Sequence, residues 1–285
     1  MRNGSEDNHS GGLEVTFWGV RGSIPSPRPD LMEYGGNTSC VEVRRPGAAP
    51  LVFDTGTGVR ALGQNLDEPA VHIFYSHLHW DHIQGLPFFR PLYDRGSTIT
   101  FCAAMPAAAL EAALRHQMSS PYFPVTLPEV GGVCRFNQAT EDGVEAAGVR
   151  VVPFPLKHPS GSTGYRIEAP DAVVVFITDH EHGDREIDAR VARHCREADL
   201  LICDAQYLPS EYAARRGWGH STWEHAVRLA SEAGVKQLAL FHHDPDRKDA
   251  EVAQIASEAR ERFEPSIAAR EGLQIRACRA AKETR

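Results

Sequence analysis

The sequence predicts an α/β fold in which two β-sheets pack face to face with helices outside. Three observations point to it. The chain falls into two halves, each a run of short strands followed by helix–strand units. No linker or short repeat separates the halves, so a single domain over residues 13–285 is expected. Side chains able to hold metal recur where buried strands run out into polar loops, the edge at which open sheets place their chemistry.

Each element has a local reason. Residues 13–18, 39–44, 51–53 and 71–75 are apolar or alternating runs split by glycine and proline, which predicts strands. A helix is expected over 58–65, a short helix start at 83–87 and a strand at 98–102. Residues 106–118 are alanine-rich with proline in the first turn, a helix signature. Residues 119–130 mix prolines with two aromatics, which predicts an irregular loop near a site or a partner. Strands resume at 149–154, 164–169 and 172–178, followed by an amphipathic helix over 184–198 and a strand at 200–203. Ser221 or Thr222 caps a helix that runs to Ala233 and is ended by Gly234. A strand at 235–241 and a helix over 246–263 complete the order.

Composition narrows the function classes. Of 285 residues, 42% are hydrophobic and 24% charged, as in an ordinary soluble globular protein. The net charge of -8 and the lack of a basic block argue against extended contact with a nucleic acid backbone, and leave room for a small anion. No apolar stretch is long enough to span a bilayer. Residues 1–12 are polar without a signal-peptide hydrophobic region, so they read as a disordered tail on a cytoplasmic protein. The six cysteines, Cys40, Cys102, Cys134, Cys195, Cys203 and Cys278, are scattered and read as buried reduced thiols.

The densest chemistry is in His77-Leu78-His79-Trp80-Asp81-His82, which follows an apolar strand. Imidazole nitrogen and carboxylate oxygen are ligands for zinc, manganese and iron, and one ion would satisfy several of these groups at once. Leu78 and Trp80 read as spacers that face the fold. Three further ligand types follow buried runs: His158, Asp179 and His242. His243 beside His242 is the main ambiguity in this set.

These residues resemble the metallo-β-lactamase superfamily, over nearly the whole chain from Leu13. The resemblance implies a four-layer αββα sandwich with two divalent ions at the edge between the sheets, zinc first and manganese or iron next. By that resemblance His77, His79 and His158 hold one ion, Asp81, His82 and His242 the other, and Asp179 bridges both. The spacing of the last strand matches His242 better than His243. The metals would activate a water as nucleophile, which Asp81 also orients, and would polarise the scissile group. Asp54, at a strand end before Thr55-Gly56-Thr57-Gly58, is expected to orient the histidine loop from behind.

Two segments narrow the branch. Gly217-Trp218-Gly219-His220-Ser221-Thr222 resembles a segment of the ribonuclease Z-like and phosphodiesterase-like branch. There His220 would be a general acid or phosphate donor, with Asp204 as its acidic partner. The runs around Gly19-Val20-Arg21-Gly22-Ser23 and Gly35-Gly36-Asn37-Thr38 look like the N-terminal motifs of a bacterial subgroup related to cyclic-nucleotide and cyclic-phosphate phosphodiesterases. They make Arg21, Ser23 and Asn37 candidates to contact a substrate anion. The expectation is a dinuclear-metal hydrolase of a small phosphodiester or cyclic nucleotide, with a homodimer left open. The alternatives are a carbonyl-centre hydrolase of a lactone or thioester and a tRNA 3′-processing endonuclease. The second is weakened by the acidic charge and by the absence of lysine from 102–149.

Overall fold

A computed structural model describes residues 11–279. The first sheet collects β1 (Leu13–Gly19), β2 (Cys40–Arg44), β3 (Leu51–Phe53), β4 (Ala70–Tyr75), β5 (Thr98–Ala103) and β6 (Val133–Gln138). The second collects β7 (Val144–Ala146), β8 (Val149–Leu156), β9 (Ser162–Ala169), β10 (Ala172–Ile177), β11 (Leu200–Asp204), β12 (Leu238–Phe241) and β13 (Ser266–Ala268). The last strand, β14 (Gln274–Ala277), returns to the first sheet beside β1. The two sheets mirror each other in kind. From β3 to β6, and from β10 to β13, neighbours are parallel; the remaining pairs are antiparallel.

Period-two alternation decides the layers. In β10, Val174 and Phe176 turn to the face between the sheets, whereas Val173, Val175 and Ile177 turn outward, and all are buried. A strand apolar on both faces needs cover on both, which is why helices lie outside. The outer face of the second sheet packs on α4 (Arg185–Cys195), α6 (Trp223–Glu232) and α7 (Asp249–Arg262) through Val191, Leu229 and Ile255. The first sheet is covered by α1 (Val59–Gln64) and α3 (Ala107–Gln117) through Leu62, Leu110 and Leu114. Two short helices, α2 (Trp80–Ile83) and α5 (Pro209–Tyr212), lie in the loops. Between the sheets Phe53 stands 5.4–5.5 Å from the rings of Phe74, Tyr165 and Phe176. The Tyr165 hydroxyl donates to the Tyr75 carbonyl (2.6 Å), tying the second sheet to the end of β4.

The four-layer sandwich is as expected, with local differences. Strands β6, β7, β13 and β14 were not expected from the sequence. They are edge strands, each very short or with partly exposed side chains, so their apolar alternation is faint. Helix α4 stops at Cys195 and α7 starts at Asp249, each a few residues inside its expected span. Residues 119–130 are irregular apart from a turn at Leu127–Glu129 closed by a Thr126–Glu129 capping box. Phe123 there packs edge-on against Phe88, with ring centroids 5.7 Å apart. Residues 1–10 of the expected tail lie outside the described residues; Gly11 and Gly12 are tied down, Gly12 donating to Asp171 (2.7 Å). All six cysteines are unpaired; Cys278 is exposed and Cys134 partly so, which corrects the fully buried reading. No helix among the described residues is long and apolar enough to cross a membrane.

Candidate metal centre

Strands from both sheets end at one edge, and their next residues meet there. Asp54 follows β3, His77 follows β4, His158 follows β8, Asp179 follows β10 and His242 follows β12, while Asp204 is the last residue of β11. Three of these take left-handed backbone conformations: Asp54 (φ 61°), Asp179 (φ 53°) and His242 (φ 59°). Such φ values cost about 1–3 kcal/mol each outside glycine, and Asp and His tolerate them better than most residues. The turn lifts each side chain off its strand and into the common edge. His79 stands at the N-cap of α2, which places Asp81 and His82 on its first turn.

The site has two lobes. Ligand atoms of His77, His79 and His158 lie within 4.8 Å of one another, as do those of Asp81, His82, Asp179 and His242. Asp179 is divided between them. Its Oδ1 lies 3.8 Å from His77 Nε2 and 3.6 Å from His158 Nε2. Its Oδ2 lies 3.1 Å from His82 Nε2 and 3.2 Å from His242 Nε2. Asp81 Oδ2 closes the second lobe at 3.1 Å from His82 Nε2 and 3.4 Å from His242 Nε2. The Nε2 atoms of His77, His82 and His242 are buried and make no hydrogen bond. Buried polar atoms are normally satisfied, so three such nitrogens converging from histidines fit a bound cation. The donor types suit a borderline divalent ion.

The other nitrogens of these rings are held from behind. His82 Nδ1 donates to Asp54 Oδ2 (2.7 Å), so the expected role of Asp54 behind the loop has a direct contact. Asp54 also accepts from Ser39 Oγ (3.1 Å) and from the Ser76 backbone N–H (2.8 Å). His158 Nδ1 donates to the Gly219 carbonyl (2.9 Å) and His242 Nδ1 to Gln206 Oε1 (3.0 Å). Each contact leaves Nε2 facing the lobe. Electrostatics follow. Burial opposes a charged His82, but Asp81, Asp179 and Asp54 outweigh it and hold its pKa well above the imidazole range. Burial, with His82 nearby, pushes His77 well below it. Burial raises Asp81 and Asp179, yet the surrounding imidazoles hold both well below the carboxylate range.

His220 and Asp204 meet beside the lobes. His220 Nδ1 donates to Asp204 Oδ2 (2.8 Å) and stands 3.8 Å from Asp179 Oδ1. Its ring stacks on His242 at 5.0 Å between centroids. Burial opposes its charge, but Asp204 and Asp179 lift its pKa to about 9. Asp204 is fully buried and also accepts the Asp179 N–H (3.0 Å), so one carboxylate positions His220 and the bridging residue together.

The substrate candidates divide. Ser23 reaches the site: its N–H donates to Asp81 Oδ2 (2.8 Å) and its side chain is exposed. Arg21 does not. It is fully buried, and its guanidinium donates to the carbonyls of Gly35 (2.8 Å), Asp244 (3.1 Å) and Arg247 (2.7 Å). It ties the N-terminal loop to the segment after β12, which corrects its expected role as an anion contact. Asn37 likewise gives its side-chain and backbone N–H groups to Glu271 (2.9 and 2.6 Å), a contact within the fold that corrects its expected role as an anion contact. His243 turns from the lobes and sits 2.9 Å from the Ala269 carbonyl; burial, then Arg21, depresses its pKa to about 3. Trp80 is exposed rather than facing the fold, because α2 presents that position outward while Asp81 and His82 turn in.

Three contributors went unread in the sequence: Ser76, Gln206 and Glu181. Ser76 and Gln206 each follow a strand end by one or two residues, the signal that marked the ligands themselves. Glu181 had no such signal, because its partners are backbone amides of a distant loop.

The chain is 27% identical over 265 residues to an uncharacterized protein of Mycobacterium tuberculosis, covering 90% of this chain and 88% of that one. Its fold superimposes on a diphosphatase of the PhnP family with TM-score 0.68 and 20% identity, covering 94% and 98% of the two chains. The short form of human tRNase Z aligns with TM-score 0.67 and 21% identity, covering 93% and 99%. The Beta-lactamase superfamily domain matches residues 50–243, which span β3 to the residue after His242. With that match, this architecture and this ligand edge, the chain belongs to the β-lactamase superfamily and has the metallo-β-lactamase fold.

Proposed function

We propose that the protein is a dinuclear-metal hydrolase of small phosphodiesters, with cyclic nucleotides as the first substrates to test. The observation that carries this reading is the Asp204–His220 pair, 2.8 Å long, beside the shared carboxylate of Asp179. A phosphodiester keeps negative charge through the reaction, and its leaving oxygen needs a proton. A charged imidazole held at the metal edge answers both needs, and a carbonyl substrate requires it less. That two structural neighbours are a diphosphatase and a tRNase Z supports a phosphate centre.

In this reading His77, His79 and His158 hold one ion and Asp81, His82 and His242 the other, with Asp179 shared. Two divalent ions, zinc first, would supply a water of lowered pKa and two positive charges against the phosphoryl oxygens. Asp81 orients the attacking oxygen. Asp54 and Gln206 keep His82 and His242 in the tautomer with Nε2 open. His220 hands its proton to the leaving oxygen, and Asp204 stabilises the charged ring until it does. Net charge of -8 favours a small substrate over a long polyanion.

The test is a panel on the purified protein loaded in turn with zinc, manganese and iron. It holds bis-p-nitrophenyl phosphate, 3′,5′- and 2′,3′-cyclic nucleotides, a precursor tRNA, a thioester and a lactone. Turnover of the small diesters is expected, with His220→Ala lowering kcat roughly 100-fold, the lower range for a lost acid–base group. Turnover of the thioester or lactone alone would overturn the reading, and cleavage of the precursor tRNA alone would replace it with the processing endonuclease.

A further inference from the structure

Two exposed tryptophans are chain neighbours of residues at the metal centre. Trp80 lies between His79 and Asp81, and Trp218 precedes Gly219 and His220; each is 63% exposed. The other two tryptophans serve the fold: Trp223 is 2% exposed, and Trp18 donates to Glu42 (3.0 Å). A single line of contacts links the exposed pair. His79 Nδ1 is 3.1 Å from His158 Nε2, and His158 Nδ1 is 2.9 Å from the Gly219 carbonyl. Trp80 follows His79 and Trp218 precedes Gly219 in the chain, so their backbones flank the two ends of that line at the lobe of His77, His79 and His158. Ile24, 58% exposed, adjoins Ser23 at the other lobe.

The support of Trp218 is built. Glu181, 2% exposed, accepts the N–H groups of Gly217 (2.7 Å) and Gly219 (2.9 Å) on one oxygen. Its other oxygen has only the half-exposed Lys157 ammonium, 3.8 Å away. Both glycines take left-handed conformations (φ 89° and 91°), and a side chain at Gly219 would run into the His158 ring. Burying a carboxylate is costly unless it is hydrogen-bonded, and here its hydrogen bonds go to the two glycines that flank the exposed Trp218, of which Gly219 is itself buried. The outcome is an indole held in water on a fixed backbone. A large apolar side chain kept exposed on a rigid support is informative where scattered ones are not.

We propose that Trp218, mounted on Glu181, and Trp80 form an aromatic mouth to the open lobe that stacks on a planar ring carried by the substrate. The ring class that accompanies a phosphodiester is a nucleobase, so this inference rests on the phosphodiesterase reading above. Stacking is tolerant of base identity, so the mouth selects nucleotides over ring-free diesters without choosing strongly among bases.

The experiment compares adenosine 2′,3′-cyclic phosphate with glycerol 1,2-cyclic phosphate on the metal-loaded protein and on its Trp218→Ala, Trp80→Ala and Glu181→Gln variants. The expected result is a fall of about 10-fold in the ratio of kcat/KM, adenosine over glycerol, in each tryptophan variant, and a smaller fall in Glu181→Gln. An unchanged ratio overturns the proposal, whether both rates fall together or neither falls. Binding provides a second readout that does not depend on turnover. Adenosine 5′-monophosphate should quench indole fluorescence and bind about 10-fold tighter than ribose 5-phosphate, a preference lost in Trp218→Ala. Failure of catalysis with this preference intact would sink the phosphodiesterase reading alone; absence of the preference sinks the aromatic mouth. Sedimentation of each variant is a further check, because conversion of a dimer to a monomer would assign the indoles to a subunit contact and overturn the proposal.

Discussion

The two lobes of the metal edge are built differently. In the lobe of Asp81, His82, Asp179 and His242 every member is buried, and two of the four have ring nitrogens fixed by Asp54 and Gln206. Two of its members sit on left-handed backbone. In the lobe of His77, His79 and His158, only His77 is buried, and His158 leans on the carbonyl of Gly219, next to the exposed Trp218. The contrast shows which of the two lobes meets solvent. The closed lobe is part of the core and sets geometry. The open lobe adjoins the loops of Trp80 and Trp218 and meets solvent.

The largest expected effect separates neighbouring histidines. His242→Ala should lose one of two bound ions and most activity, whereas His243→Ala should keep both; metal content by mass spectrometry checks it. The opposite outcome would dissolve the closed lobe as described. Next, Asp54→Ala should lower metal affinity at the closed lobe roughly 10- to 100-fold and leave the open lobe nearly intact. Competition titration with a chelator resolves two classes of site, and equal weakening of both would show that the lobes are not independent. A smaller pair compares glycines. A Cβ at Gly22 would run into the His242 ring, and one at Gly219 into the His158 ring. Each Gly→Ala variant should cost roughly 1–3 kcal/mol in unfolding free energy and should weaken metal at its own lobe.

A further effect, felt only at acid pH, lies outside both lobes. His225 stacks on His182 (4.3 Å between centroids) and takes a contact from Arg228 (2.9 Å). Burial first, then His182, His180 and Arg228, lowers its pKa from 6.5 to about 3. The folded protein therefore refuses a proton that the unfolded chain accepts. Its contribution to stability is full above pH 6.5 and is lost as pH falls toward about 3. The slope is about 1.4 kcal/mol per pH unit for one such group. Urea unfolding across that window should show a flatter pH dependence in His225→Gln than in the parent; identical slopes would refute the assignment.

Much of the closed lobe was legible because its ligands carry local marks. Asp81 and His82 belong to the dense run from His77 to His82, and Asp179 and His242 follow apolar runs whose ends are plain in the sequence. The choice of His242 over His243 came from the resemblance, whose final strand the spacing Leu240-Phe241-His242 matches better, and the geometry places only His242 at the lobe. The reading of Arg21 failed for an equally physical reason. Glycines around an arginine suggest an anion loop, but three carbonyls from remote segments converge on its guanidinium, and none of them is marked in sequence. Edge strands such as β6 escaped because half-exposed positions blur the alternation that betrays a strand.

By itself the sequence determined the layered α/β class, the edge at which the ligands gather, and the identity of the residues that can hold metal. These depend on apolar period and on side-chain chemistry, both local properties. Only the tertiary structure decided which oxygen of Asp179 faces which lobe, that Gln206 joins Asp54 in orienting the imidazoles, that Arg21 is sealed in the core and that Trp80 and Trp218 stand in solvent. Each of those depends on segments far apart in the chain meeting within hydrogen-bond distance, and that meeting is a property of the packed sheets.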